Sequence, residues 1–201
     1  MKTLIAWFSW SGNTQEIAEK IARETRGELF RIERVVPYST DYSTCAYREA
    51  KEEADRQLRP TIKEPLPEIA EYDAVIIATP IWWYTMPAPV KTFLERWPDW
   101  RGKRLYVFAN SYTDDRGQFM NALVTAAECA KGADVRPGLY NRDIERLCGW
   151  ARENGFTRGQ KYEEAGINGS GGAGADGGRA CGRNSADGHD ESRSRRVFRA
   201  V

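Results

Sequence analysis

The polar and apolar positions of the chain alternate between two periods. Short, nearly continuous apolar runs, Leu4-Ile5-Ala6-Trp7-Phe8 and Ala74-Val75-Ile76-Ile77-Ala78, have the length and composition of strands buried on both faces, as in parallel sheets covered by helices. Between such runs the spacing is helical. Ile17, Ala18, Ile21 and Ala22 mark one face of a helix from about residue 14 to residue 24. Continued along the chain, the pattern predicts strands near 2–8, 28–33, 73–79, 104–110 and 134–139. Helices are expected near 14–25, 44–58, 88–97, 117–131 and 142–154. Regular alternation of this kind implies an α/β, doubly wound, three-layer domain with a five-stranded parallel sheet. For the second helix, Cys45, Ala46, Ala50, Ala54 and Leu58 form the expected buried stripe. Arg48, Glu49, Lys51, Glu52, Glu53, Asp55 and Arg56 are expected to face water.

The first strand-to-helix junction, Ser9-Trp10-Ser11-Gly12-Asn13-Thr14, carries the candidate chemistry. The first amides of a helix have no intrahelical acceptor and, with the positive end of the helix dipole, favour an anion. Ser9, Ser11 and Thr14 add hydroxyls, Gly12 lets a backbone come close to a ligand, and Asn13 tolerates unusual dihedrals. The loop is not a Walker loop, since no Gly-Lys-Ser/Thr ending is present and the next lysine is Lys20 inside the helix. One glycine is also too few for a dinucleotide fingerprint. A phosphate cradle and an ordinary capped turn both fit this hexapeptide taken alone.

A second junction follows the strand ending at Ala78. Thr79-Pro80-Ile81-Trp82-Trp83-Tyr84-Thr85-Met86-Pro87 places three large aromatics in a proline-bounded loop. Such a loop lies at the surface and reads as a stacking platform for a planar ligand. The competing reading packs Trp82 and Trp83 on the following helix, and both readings can hold for different rings. Together, a phosphate site and a flat-ring platform at the carboxyl ends of parallel strands suit a mononucleotide.

At these two loops the chain resembles the flavodoxins and flavodoxin-like FMN proteins. Their first loop commonly reads Ser/Thr-x-Ser/Thr-Gly-Asn-Thr, and one bacterial branch has a Pro-Ile-Trp-Trp-Gly-x-x-Pro second loop, similar to Pro80 through Pro87 here. Pro37-Tyr38, Asp41-Tyr42, Arg59-Pro60 and Phe93-Leu94-Glu95 extend the likeness. The resemblance implies strand order 2-1-3-4-5 and FMN as cofactor. Its phosphate would be held by Ser9, Trp10, Ser11, Gly12, Asn13 and Thr14, and its ring system would be flanked by Pro80, Ile81, Trp82, Trp83 and Tyr84. It also implies a redox role, either as an electron carrier with a protein partner or as an NAD(P)H-dependent FMN or quinone reductase with a small acceptor. No catalytic side chain is assigned, and a monomer or homodimer is expected.

Two departures bear on that role. Tyr84 stands where the branch has glycine, which restricts the backbone beside the flavin. The third loop, Asn110-Ser111-Tyr112-Thr113-Asp114-Asp115-Arg116-Gly117, replaces a glycine-rich segment and retains only Ser111 and Gly117 of that pattern. Ser111 and Tyr112 are nevertheless candidate cofactor contacts, and Asp114 and Asp115 are expected to cap the next helix. If these changes abolish tight binding, the domain becomes a flavodoxin-fold module without FMN.

Composition adds limits. Lys and Arg number 30 against 29 Asp and Glu, a net charge of +1, whereas carriers of the family are typically acidic. No nucleic-acid or membrane partner follows from that balance. The single histidine, His189, and the cysteines Cys45, Cys129, Cys148 and Cys181 lack metal-ligand or CxxC spacing, so no metal is expected and a reducing cytoplasm is. The domain is expected to span residues 1–157. Residues 158–201 are expected to be a disordered Gly- and Arg-rich tail, since from Gly166 onward there is too little apolar surface to offset the entropy of ordering.

Overall fold

The structure, a computed structural model, describes residues 1–156, so the expected tail, residues 158–201, lies outside the described residues. Five parallel strands, β1 (Thr3–Trp7), β2 (Glu28–Arg31), β3 (Ala74–Pro80), β4 (Arg104–Asn110) and β5 (Asp134–Tyr140), form one sheet in the order 2-1-3-4-5. The helices are α1 (Asn13–Thr25), α2 (Tyr42–Thr44), α3 (Lys51–Asp55), α4 (Ala88–Leu94), α5 (Arg116–Cys129) and α6 (Leu147–Glu153). The expected α/β architecture and strand order are those observed.

Side chains alternate across the strands and divide the core in two. Leu4, Ala6, Val75, Ile77, Leu105 and Val107 point into the layer with Val90 and Phe93 of α4 and Ala122 and Ala126 of α5. Ile5, Trp7, Ile76, Tyr106 and Phe108 point the other way, toward Ala18 and Ile21 of α1 and Trp150 of α6. Burial on both faces explains why β1 and β3 read as continuous apolar runs. β1 lies between β2 and β3, and the chain leaves it first to one side and then to the other. The carboxyl ends of β1 and β3 therefore border the topological switch point, where open α/β sheets offer a crevice.

The second helical segment corrects the expected stripe. Between α2 and α3, Cys45–Ala50 is a π-helix, whose wider turn rotates the residues after it relative to an α-helical spacing. Glu53, expected to face water, is buried, and Leu58, expected to be buried, is exposed beyond the end of α3. Glu53 is held inside by named partners. The Tyr38 hydroxyl donates a short hydrogen bond to it, Arg34 Nη2 lies 3.5 Å away, and the Arg34 guanidinium sits 4.0 Å from the Tyr38 ring centre. Burial pushes both the Tyr38 hydroxyl and the Glu53 carboxyl above their ordinary ranges, although Arg34 pulls each of them down. No helix among the described residues is long and apolar enough to cross a membrane.

Candidate functional site

Three loops meet at the carboxyl ends of β1, β3 and β4. In the first, Gly12 caps α1 with φ at 98°, a left-handed value that glycine adopts without strain. A Cβ there would meet nothing within 4 Å, so the space beside it is open. Ser9 shapes the turn, since its hydroxyl oxygen accepts from the Gly12 amide at 3.0 Å. Glu16 is the first residue of the helix whose amide reaches back, to the Gly12 carbonyl at 3.2 Å. Among the described residues the amides of Asn13, Thr14 and Gln15 find no acceptor, which leaves a set of donors at the positive end of α1. Ser11 and Asn13 are exposed beside them, while Thr14 is buried with its hydroxyl donating to Asn110 Oδ1 at 2.8 Å.

The second loop begins where β3 ends. Pro80 is in register with Asn110, and the Ile81 amide donates to the Asn110 carbonyl at 2.8 Å. Trp82 and Thr85 then exchange two backbone hydrogen bonds, of 2.8 and 3.2 Å, around a two-residue turn. Both turn residues have positive φ, 48° at Trp83 and 69° at Tyr84, a combination that usually selects Asn-Gly. Tyr84 thus occupies a left-handed position without glycine's freedom, at a cost of about 1–2 kcal/mol. Contacts around the turn hold it in place. The Trp83 indole donates to the Ala46 carbonyl at 3.0 Å, Asn121 Nδ2 donates to the Tyr84 carbonyl at 3.3 Å, and the Thr85 and Thr125 hydroxyls lie 2.8 Å apart.

The three aromatics do not share one orientation. Trp82 meets Phe8 and Tyr38 edge-on, with ring centres 5.4 and 5.3 Å apart, and so extends the core. Trp83 turns toward the helical segment after β2, edge-on to Tyr47 at 5.9 Å and beneath Lys51 Nζ at 5.1 Å. Tyr84 is 60 % exposed. Trp83 and Tyr84, rather than Trp82, are therefore available for a planar ligand.

The first two loops are linked by aromatic contacts that the sequence pattern did not single out. Trp10 donates its indole N–H to the Ser39 carbonyl at 3.0 Å and packs at 6.3 Å from Tyr42. Tyr42 meets Tyr47 at 5.9 Å, and Tyr47 meets Trp83. A five-residue spacing such as Tyr42 to Tyr47 was the available signal, because a π-turn brings positions i and i+5 to one side.

The third loop is ordered by a residue outside it. Asn141, at φ 47°, accepts from the Ser111 amide at 2.7 Å and donates to the Thr113 carbonyl at 2.9 Å and to Asp114 at 3.1 Å. The Tyr140 hydroxyl donates to the same carbonyl at 2.9 Å. Asp115 caps α5 by accepting from the Gly117 amide at 2.8 Å, one of the two capping roles expected. Tyr112 projects from the loop, 60 % exposed. Among the described residues no three His, Cys, Asp or Glu side chains cluster as a metal site. Burial pushes the thiols of Cys45 and Cys129 up to about 12, so neither is a thiolate near neutral pH.

Against this geometry, the chain matches the protein family described as flavodoxin over residues 2–142. Among solved structures, a flavoprotein candidate from Bacteroides uniformis ATCC 8492 is 30% identical. The match covers 75% of this chain and 97% of that one, with a TM-score of 0.64. A second flavoprotein candidate, from Bacteroides eggerthii DSM 20697, is 29% identical over 76% of this chain and 96% of that one, with a TM-score of 0.64. A flavoprotein from Lactobacillus acidophilus NCFM, solved in complex with FMN, is 27% identical over 75% of this chain and 98% of that one, with a TM-score of 0.62. A comparison with curated protein sequences gave no match.

Proposed function

Since the chain belongs to the flavodoxin family, we propose that it binds FMN non-covalently at the three loops and acts as a redox protein, passing electrons through the flavin. One observation carries the reading. The unpaired amides of Asn13, Thr14 and Gln15, with open space at Gly12, follow the end of β1, and the turn carrying half-buried Trp83 and exposed Tyr84 follows the end of its parallel neighbour β3. These residues fit the group. A phosphate is matched by uncompensated N–H donors and the hydroxyls of Ser9, Ser11 and Thr14, and an isoalloxazine by Trp83 and Tyr84 on one side and Tyr112 on another. Ile81, Trp82 and Ser111 supply backbone at the meeting point of the loops, with Trp10 and Pro80 at its edges. The binding of FMN in the Lactobacillus acidophilus relative supports the same assignment.

When bound, FMN would supply the electron chemistry, and the protein would supply binding, orientation and the electrostatic bias between oxidation states. Thr14 would have to share or exchange its bond to Asn110 in order to donate to a phosphate. The strained φ at Tyr84 limits how far the backbone beside the flavin can reorient, which makes the second loop a rigid setter of potential.

A separate feature bears on the electron donor. A net charge of +1 offers little attraction for a basic partner protein, which favours direct reduction by NAD(P)H with a small acceptor over carriage between proteins. Anaerobic addition of NADH or NADPH to the yellow protein tests this. Bleaching without a further protein identifies a reductase, and bleaching only after a partner reductase is added identifies a carrier. A colourless chain that cannot be reconstituted with FMN excludes both.

A further inference from the structure

A cavity of about 440 Å³ lies between α4 and α5 beside the Trp83-Tyr84 turn. Lys91 of α4 lines it. Its side chain is only 5 % exposed, yet among the described residues its ammonium makes no hydrogen bond and no ion pair. Buried cations are ordinarily paired, because desolvating an unpaired charge is costly. The nearest acidic groups are otherwise engaged. Glu95 receives Arg59 at 2.7 and 2.8 Å and the Cys129 thiol at 3.3 Å, and Glu128 lies exposed at the rim. Desolvation and the neighbouring Arg59 together hold the Lys91 ammonium below its ordinary range, although the charges of Glu95 and Glu128 act in the other direction.

The opposite wall is mixed. Val124, 54 % exposed, and Tyr84, 60 % exposed, face the cavity with Trp83, beside the polar side chains of Asn121 and Thr125. A cation on the floor and rings on the wall match a ligand with one anionic end and one flat apolar body. The volume lies within the range of small-molecule sites.

We propose that this cavity is a binding site for a small organic carboxylate, with the carboxylate on Lys91 and the apolar body against Trp83, Tyr84 and Val124. The site shares the Trp83-Tyr84 turn with the three-loop crevice, but its cation, Lys91, takes no part in the flavin reading.

Sodium benzoate is the probe, titrated into the full chain with and without FMN and followed by saturation-transfer NMR. Saturable binding is expected without FMN and, because the Trp83 and Tyr84 rings are shared, weaker saturable binding with FMN. It should be weakened about ten-fold or more by Lys91→Met and left unchanged by Lys20→Met, whose side chain is exposed on α1. If Lys91→Met does not fold, the wild-type chain is acylated with an amine-reactive acetyl ester and analysed by mass spectrometry. Benzoate should then slow labelling at Lys91 and not at Lys20. Absence of saturable binding, equal binding by Lys91→Met, or equal labelling of Lys91 with and without benzoate would overturn the proposal. Tighter binding of inorganic phosphate than of benzoate would overturn the organic part of it. Failure of FMN to bind, with benzoate still saturating, leaves this site standing and removes only the flavin assignment.

Discussion

The hydroxyl of Thr14 donates to the side-chain oxygen of Asn110 across 2.8 Å, tying the first turn of α1 to the end of β4 although 96 residues separate them. The same Asn110 uses its carbonyl to receive the Ile81 amide at 2.8 Å, so one residue at the tip of β4 fixes the first and second loops relative to each other. Thr14→Ala removes a phosphate donor and this tie, and FMN affinity is expected to fall about ten-fold or more. Asn110→Ala removes the tie alone and should cost less affinity. Fluorescence titration of both variants checks the order, and a larger loss in Asn110→Ala would place the tie above the phosphate contact.

Tyr84 tests whether strain is stored in the second loop. With φ at 69°, replacement by glycine should relieve about 1–2 kcal/mol, offset by the roughly 0.5–1 kcal/mol of backbone entropy that glycine loses on folding. The expected net change for Tyr84→Gly is a stabilisation of up to about 1.5 kcal/mol, and Tyr84→Val, β-branched at a positive φ, should destabilise. Urea unfolding with unchanged m-values reads both. The flavin potential should move with Tyr84→Gly as well, since the turn becomes free to reorient.

The fold was legible from periodicity because its strands are buried on both faces and its helices on one, which leaves a direct trace in residues 4–8, 17–22 and 74–78. The first and second loops were legible for a different reason: they need particular residues at fixed offsets. What the pattern could not give was anything set by non-local partners. Glu53 looked like a surface charge because its helix is charged around it, and only the π-turn and the distant Arg34 and Tyr38 draw it inside. Asn141 carried no motif at all, yet it orders a third loop that lacks the expected glycines. The different packing of the half-buried Trp82 and Trp83 likewise depends on Phe8, Tyr38 and Tyr47, which lie far away in sequence.

The Tyr38-Glu53-Arg34 group is a second-order prediction of the same kind. Arg34 Nε and Nη1 are buried without partners, so the group has no spare hydrogen bonds to lose. Tyr38→Phe strips Glu53 of its short bond and should destabilise the chain by about 1–3 kcal/mol. Chemical denaturation checks this, and a change below about 0.5 kcal/mol would show that Glu53 finds water instead.

Lys91 gives a pH dependence with a definite sign. Burial disfavours its ammonium in the folded state relative to an ordinary value near 10.5, and Arg59 adds a repulsion that Glu95 and Glu128 oppose. The unfolded chain then holds the Lys91 proton more tightly than the folded one. Stability arising from this group therefore rises as pH climbs from the depressed folded value toward 10.5. Lys91→Met should be the more stable protein at neutral pH, by about 1–3 kcal/mol, and its advantage should shrink on the alkaline side. Thermal melts of both proteins across that pH range decide the sign.

The central claim is that this flavodoxin-family chain holds FMN through the amides of α1 and the Trp83-Tyr84 turn. Titrating the apoprotein with FMN and, separately, with riboflavin, while following flavin fluorescence, tests it most directly. The account predicts one-to-one quenching by FMN, binding of riboflavin weaker by about a hundred-fold because the phosphate contacts are missing, and a preference reduced to about ten-fold in Thr14→Ala. No quenching by FMN, or equal affinity for FMN and riboflavin in the wild-type chain, would contradict it.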